Sequence, residues 1–436
     1  MRKRAGTHDD DAARQIVRVM GNLYQRGMTT ASGGNMSIID ENGNIWITPS
    51  AIDKGSLSPD DIICVSLGGS VSGRHKPSSE YPLHRATYNA MPGIRALIHA
   101  HPPALVSFSI MHRVPDTSVL RYALDICGPA GYAAYELPGS EKLGENIASA
   151  FRKGHTVVIM ENHAAIAGGK SLHDALDRLE AFEYCARTIV SGLVLGDSKL
   201  PEKPCFEQSG RLTVTQLPEA DPGDSLPGEQ QKRKEICNIL HRACLRGLMF
   251  SRCGTVSVRL KDDALLITPE DISGSEVQED DVVKISCQSR ETGKNPSADA
   301  ELHMQIYKRF PAVNSVIQAM PPYLMAFGIS AAEFNVRTIP ESWIFLREIP
   351  VVPPRKNYGD NQMIIENITA ANTAVMIRND SMVIAGDRLF DCFDRLEVAE
   401  MNAMSLVMAK PAGEIIPLNN EQISDLRKVF LKTGSH

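Results

Sequence analysis

The chain has 436 residues, more than one hydrophobic core usually supports, so its length predicts two domains. Its hydrophobic (43%) and charged (22%) fractions are ordinary for a globular protein, and a formal net charge of −6 leaves no basic footprint for nucleic acid or a membrane surface. No apolar run approaches the roughly 20 residues of a membrane span, the N-terminus lacks the apolar stretch of a secretory signal, and nine cysteines without paired spacing read as free thiols, so a cytoplasmic location is expected.

Residues 11–26 are predicted to form an amphipathic helix with Ile16, Val19, Met20 and Leu23 on one face. The small-residue loop Thr30-Ala31-Ser32-Gly33-Gly34-Asn35-Met36-Ser37 offers amides and side-chain donors that suit an anion. A hairpin follows, and Thr48-Pro49-Ser50 ends its second strand; residues 61–67 read as another strand. A helix is expected over Tyr81–Ala90, with Ser79 as its N-cap and Pro82 in its first turn. The apolar Ala96–Ile98 predicts a buried strand running into His99 and His101. Strand side chains alternate, so the two imidazoles share a face, and Pro102-Pro103 end the strand. Next come a helix from about Ala104, short strands at Val119–Tyr122 and Tyr132–Glu136, and a helix from Ser140 to about Arg152. The buried strand Thr156–Met160 delivers Glu161-Asn162-His163, and the long helix after Ser171 keeps Leu172, Ala175, Leu176, Leu179, Phe182 and Ala186 on one face. Mixed strands and helices of this kind predict a layered α/β domain. Residues 199–230, rich in Pro, Gly and acids, read as a linker between domains at 1–198 and 231–436.

Beyond that linker the signals repeat in order. Pro296-Ser297-Ala298-Asp299 echoes Pro77-Ser78-Ser79-Glu80, Gln318-Ala319-Met320-Pro321-Pro322 echoes His99-Ala100-His101-Pro102-Pro103, and Asn379-Asp380 echoes Asn162-His163, with near-constant spacing. This is the signature of a tandem duplication. Where the first half has Glu80, His99, His101 and His163, the second has Asp299, Gln318, Met320 and Asp380. All three imidazoles are lost together, which is the behaviour of a unit. His99, His101 and His163 form the neutral nitrogen set of catalytic zinc sites, so a metal is expected in the first half alone. His84 survives as His303, which points to a supporting role rather than ligation. His75, His112 and His155 read as surface or loop residues.

Together, Ser-Gly-Gly-Asn-Met-Ser at 32–37, Thr-Pro-Ser at 48–50, Pro-Ser-Ser-Glu at 77–80, His-Ala-His-Pro at 99–102 and Glu-Asn-His at 161–163 resemble the class II aldolase/adducin family, and most nearly its fuculose-phosphate aldolase type. The resemblance implies two tandem three-layer α/β/α domains with a mainly antiparallel central sheet. It implies one Zn2+ per chain on His99, His101 and His163, with Glu80 as the acid/base and a further ligand in the absence of substrate. It assigns the substrate phosphate to Gly34, Asn35, Ser50, Ser78 and Ser79, and proton transfer at the aldehyde oxygen to Tyr122. The activity implied is reversible cleavage of a ketose 1-phosphate to dihydroxyacetone phosphate and an aldehyde. Pentulose-phosphate epimerases, sugar-phosphate dehydratases, aromatic-acid decarboxylases and non-catalytic adducin-like interaction proteins are the alternatives within the same fold. Family members form fourfold rings, so the tandem chain is expected to form a homodimer. Three departures stand out: Ala164 where the family usually has Gly after the histidine, Ala51 where it usually has Gly after Ser50, and a chain twice the usual length.

Overall fold

A computed structural model describes residues 8–196, 206, 217–221, 223, 226–261, 263–369 and 372–431. Most of the predicted linker lies outside these described residues. The chain divides into two compact units, Met1–Ser118 with Ala123–Arg187, and Val119–Tyr122 with Thr188–His436.

In chain order the first repeat carries α1 (His8–Gln25), β1 (Asn35–Ile39), β2 (Ile45–Ile47), β3 (Ile63–Val65), β4 (Val71–Ser72), α2 (Tyr81–Ala90), β5 (Ala96–Ala100), α3 (Pro103–Ile110), α4 (Arg121–Cys127), β6 (Gly131–Ala133), α5 (Glu141–Arg152), β7 (Val157–Met160), β8 (Ala164–Gly169) and α6 (Leu172–Leu195). Its eight strands form one sheet in the order β4-β3-β2-β1-β5-β8-β7-β6, antiparallel throughout except for β6 on β7. Every residue of β5, β7 and β8 is buried, so the sheet is covered on both faces. Fully burying each large side chain of β7 contributes about 1.5–3 kcal/mol. Leu97 and Met160 pack on Leu83, Leu143 and Ile147 of α2 and α5. The face of β5 that carries Leu97 therefore looks toward α2, and alternation turns His99 the same way.

Two local expectations are corrected. Val119–Tyr122 is not a strand: Asp116 Oδ1 accepts from the Ser118 amide at 3.0 Å, and this Asx turn starts a 3-10 turn that runs into α4. Nor does Ser79 cap α2. Ser78 Oγ accepts from the Glu80 amide and Ser78 O from the Tyr81 amide, so the cap position moves to Glu80, at φ −92° and ψ 13°.

The second repeat carries β9 (Glu219–Ala220), α7 (Glu229–Leu245), β10 (Thr255–Arg259), β11 (Leu265–Ile267), β12 (Val283–Ser286), β13 (Ser289–Glu291), α8 (Ala300–Arg309), β14 (Ser315–Ala319), α9 (Pro322–Ile329), α10 (Pro340–Leu346), β15 (Val351–Val352), α11 (Gln362–Asn367), β16 (Ala374–Ile377), β17 (Ser381–Gly386), α12 (Leu389–Ala409) and α13 (Asn420–Phe430). Its sheet runs β15-β16-β17-β14-β10-β11-β12-β13-β9. Alternate residues of β16 feed two cores: Ala374 and Met376 pack with the α7, α9 and α12 side chains, Val375 and Ile377 with those of α8 and α11. Both repeats are three-layer α/β domains with mainly antiparallel sheets, as the resemblance implied.

Candidate metal centre

The site forms at the end of β5. His99 is fully buried, and its Nδ1 lies 3.0 Å from Ala165 O on β8. A carbonyl can only accept, so Nδ1 carries the proton and Nε2 faces the site. His101 follows the strand, and its backbone amide donates to Met28 O. His163 arrives on the turn between β7 and β8. Asn162 takes a left-handed φ of 49° there, a conformation that asparagine tolerates, and Ser109 Oγ accepts from the His163 amide at 2.8 Å. The three imidazoles meet edge to face with centroids 4.8–5.3 Å apart, and one nitrogen from each lies within 4.8 Å of the others.

Glu80 closes the cluster. Its Oε2 lies 3.2 Å from His99 Nε2 and accepts from Asn35 Nδ2 at 2.7 Å, and its Oε1 lies 3.7 Å from His163 Nε2. Glu80 Oε1 is buried without a hydrogen-bond partner among the described residues. Burial alone would raise this carboxyl. The charges of His99 and His163, with hydrogen bonds from His99 and Asn35, outweigh it and hold Glu80 below the usual carboxylate range. Three imidazole nitrogens converging beside an unsatisfied buried carboxylate oxygen are a donor set that fits a divalent transition metal.

Asn35 ties the cluster to a second network. Its Oδ1 lies 2.5 Å from His84 Nε2, His84 Nδ1 lies 2.7 Å from Ser37 Oγ, and Tyr88 donates to Ser37 O. Because Asn35 donates to the carboxylate, its oxygen faces His84; His84 therefore donates from Nε2 and accepts from Ser37 at Nδ1. Burial pushes His84 down to about 3, so it is a neutral strut. Asn35, a phosphate candidate by resemblance, thus also spans Glu80 and His84, an engagement that its place in the small-residue loop does not reveal.

The donor-rich loops sit at the same end of the sheet. Ser50 N donates to Lys76 O and Ser78 N to Thr48 O, which lays Thr48-Pro49-Ser50 alongside Lys76-Pro77-Ser78; the Thr48 amide in turn donates to Met36 O. Ser78 is buried, Ser50 half-buried and Ser79 exposed. Gly34 takes φ +68°, and a Cβ there would lie 2.8 Å from His99 O, so only glycine fits. Lys54, absent from the sequence candidates, is buried and donates from Nζ to Pro49 O at 2.5 Å; burial lowers its pKa. Tyr122 is buried in the second unit, where it packs edge-on against Phe250, with ring centroids 5.1 Å apart. Cys127 is an ordinary buried thiol whose S–H points at Arg178 O.

A tandem α/β fold in which one repeat gathers three histidines around a buried carboxylate carries the donor set of a divalent-metal site. Residues 14–190 and again 234–407 match the family described as class II aldolase and adducin N-terminal domain, and the chain belongs to that family. It is 28% identical over 193 residues to a 3-oxo-tetronate 4-phosphate decarboxylase of Pectobacterium atrosepticum, covering 43% of this chain and 87% of that protein. It is 32% identical over 192 residues to a 5-deoxy-D-ribulose 1-phosphate aldolase of Bacillus thuringiensis, covering 43% and 87%. It is 31% identical over 190 residues to an L-fuculose phosphate aldolase of Methanocaldococcus jannaschii, covering 42% and 97%. A solved L-fuculose 1-phosphate aldolase aligns at 28% identity and a TM-score of 0.42, covering 47% of this chain and 92% of that one. No helix among the described residues is long and apolar enough to cross a membrane.

Proposed function

We propose that the first repeat is a zinc-dependent aldolase that reversibly cleaves a ketose 1-phosphate to dihydroxyacetone phosphate and an aldehyde. The observation that supports this most is the convergence of His99, His101 and His163 on Glu80. Zinc held by those histidines would supply a Lewis acid for the substrate carbonyl. Glu80, held ionised, serves as the base: in the direction of bond formation its carboxylate takes the proton from the carbon that becomes nucleophilic, and in cleavage it returns it. Gly34, Asn35, Ser50, Ser78 and Ser79 hold the phosphate, and Tyr122 is the candidate acid for the aldehyde oxygen.

Glu80→Gln should keep metal bound while abolishing cleavage, and Tyr122→Phe tests the acid. Full turnover after complete metal removal would end the reading. A second reading, decarboxylation of a 3-oxo sugar-acid phosphate, is supported by the decarboxylases among the similar relatives. Both reactions leave a three-carbon ketose phosphate, so release of carbon dioxide in place of an aldehyde separates it from the first. The homodimer is proposed by analogy, and a monomeric mass in light scattering would rule it out.

A further inference from the structure

The second repeat keeps the backbone of the site. Thr255 stands opposite Gln318 on β10 and β14 as Asn35 stands opposite His99 on β1 and β5. Asp299 caps α8 at φ −86° and ψ 7°, close to the angles of Glu80. Asn379, at φ 58°, delivers Asp380 as Asn162 delivers His163. The network His303–Ser257–Tyr307 reproduces His84–Ser37–Tyr88. The centre of this backbone is not left to an outside ligand.

Arg355, only 2% exposed, enters from the loop after β15. Its Nε and Nη2 each lie 2.9 Å from the two oxygens of Asp380, and its Nη1 lies 2.8 Å from Asp299 Oδ1. Ser381 Oγ, 3.0 Å from Asp380 Oδ1, accepts from Gln318 Nε2 at 2.9 Å. Three of the four former ligand positions are therefore wired to one guanidinium. Arg121, which belongs to the same unit, adds its Nε at 3.3 Å from Asp380.

The anion end is filled too. Glu270 N donates to Asn295 O and Ser297 N to Thr268 O, the same pairing that aligns Ser50 with Lys76 and Ser78 with Thr48. Glu270 thus stands at the place of Ser50 and Ala298 at that of Ser79, and Glu270 Oε2 accepts from the Ala298 amide at 2.8 Å.

We propose that the second repeat is permanently self-liganded, with the Arg355 guanidinium in the place of a divalent cation and the Glu270 carboxylate in the place of a phosphate. This rests on the metal and phosphate reading of the first repeat. The physics requires a cation: two buried carboxylates cannot stay ionised side by side without one. A guanidinium suits carboxylates, whereas a borderline metal wants imidazoles, so losing the histidines and gaining Arg355 are one coherent change.

The test uses the full chain carrying His99→Ala and His163→Ala, so that the first site takes up no metal and its own chemistry is not read. Adding Arg355→Ala should lower the thermal midpoint of the second repeat by several degrees. Manganese or zinc should restore it, with a divalent ion bound by elemental analysis where the parent binds none. An unchanged midpoint, or no uptake and no recovery, overturns the cation assignment. If Arg355→Ala does not fold, the triple change Arg355→Met, Asp299→Asn and Asp380→Asn, which removes both charges together, must fold; its failure also overturns it. Glu270→Ala should gain more stabilisation from inorganic phosphate than the parent does, and equal responses overturn the anion assignment. Either failure leaves the reading of the first repeat standing.

Discussion

Asn35 and Glu80, far apart in sequence, are joined by a 2.7 Å hydrogen bond that fixes the carboxylate against His99. The same amide receives His84, so one side chain aligns the acid/base candidate with a buried strut. Asn35→Ala removes both bonds, leaving His84 Nε2 buried without its acceptor and Glu80 Oε2 with His99 alone. It should cost about 1–3 kcal/mol of stability, read by chemical denaturation. An unchanged midpoint would show that neither bond matters.

Two residues of the donor loops should respond with opposite signs. Ala51 sits at φ 58° with a side chain that disfavours it, so Ala51→Gly should stabilise by about 1 kcal/mol. Gly34→Ala meets both the left-handed φ and the His99 carbonyl, so it should destabilise by more than that and weaken metal binding. Thermal melts of the two variants, with metal titration of the second, check the pair.

Metal binding at pH 6.5 and slightly below should release protons. Burial and the neighbouring imidazoles push metal-free His101 and His163 down to about 4, so both are already neutral. His99 differs: burial lowers it, but the charge and hydrogen bond of Glu80 raise it above the ordinary value, so it is the ligand expected to give up a proton. Calorimetry in buffers of different ionisation enthalpy counts protons; a count near zero refutes this assignment.

Acid should weaken the fold through its two neutral buried histidines. Burial pushes both His84 and His303 down to about 3 from an ordinary 6.5. Between those values the unfolded chain binds more protons than the folded one, so stability rises with pH and is lost as pH falls below about 6.5. Each histidine adds a slope of up to about 1.4 kcal/mol per pH unit. Denaturation midpoints from pH 7 to pH 4 should fall less steeply in His303→Gln than in the parent.

The convergence of His99, His101 and His163 was legible because strand alternation and a tight turn are local rules, and the repeat supplied its own contrast. Ile16, Val19, Met20 and Leu23 are all buried as the helical spacing of α1 required. Val119–Tyr122 misled because apolar, aromatic residues suggest a strand, while the Asx turn at Asp116 that starts a helix is a matter of one side chain. Arg355 was invisible for a different reason. The first repeat has Glu136 at the matching distance beyond β6, paired with Lys142, so the position carries no shared pattern. Its partners, Asp299 and Asp380, are brought to it only by the folded sheet.

The fork of Arg355 on Asp380 also changes how the two halves meet scarcity. A metal leaves by mass action when its free concentration drops below its dissociation constant, and the stabilisation it gives leaves with it. A guanidinium tethered to the same backbone is always present at its own effective concentration. On the metal reading of the first repeat, chelation would loosen that half while the second kept its full cohesion, so only one half of this polypeptide would respond to the supply of metal.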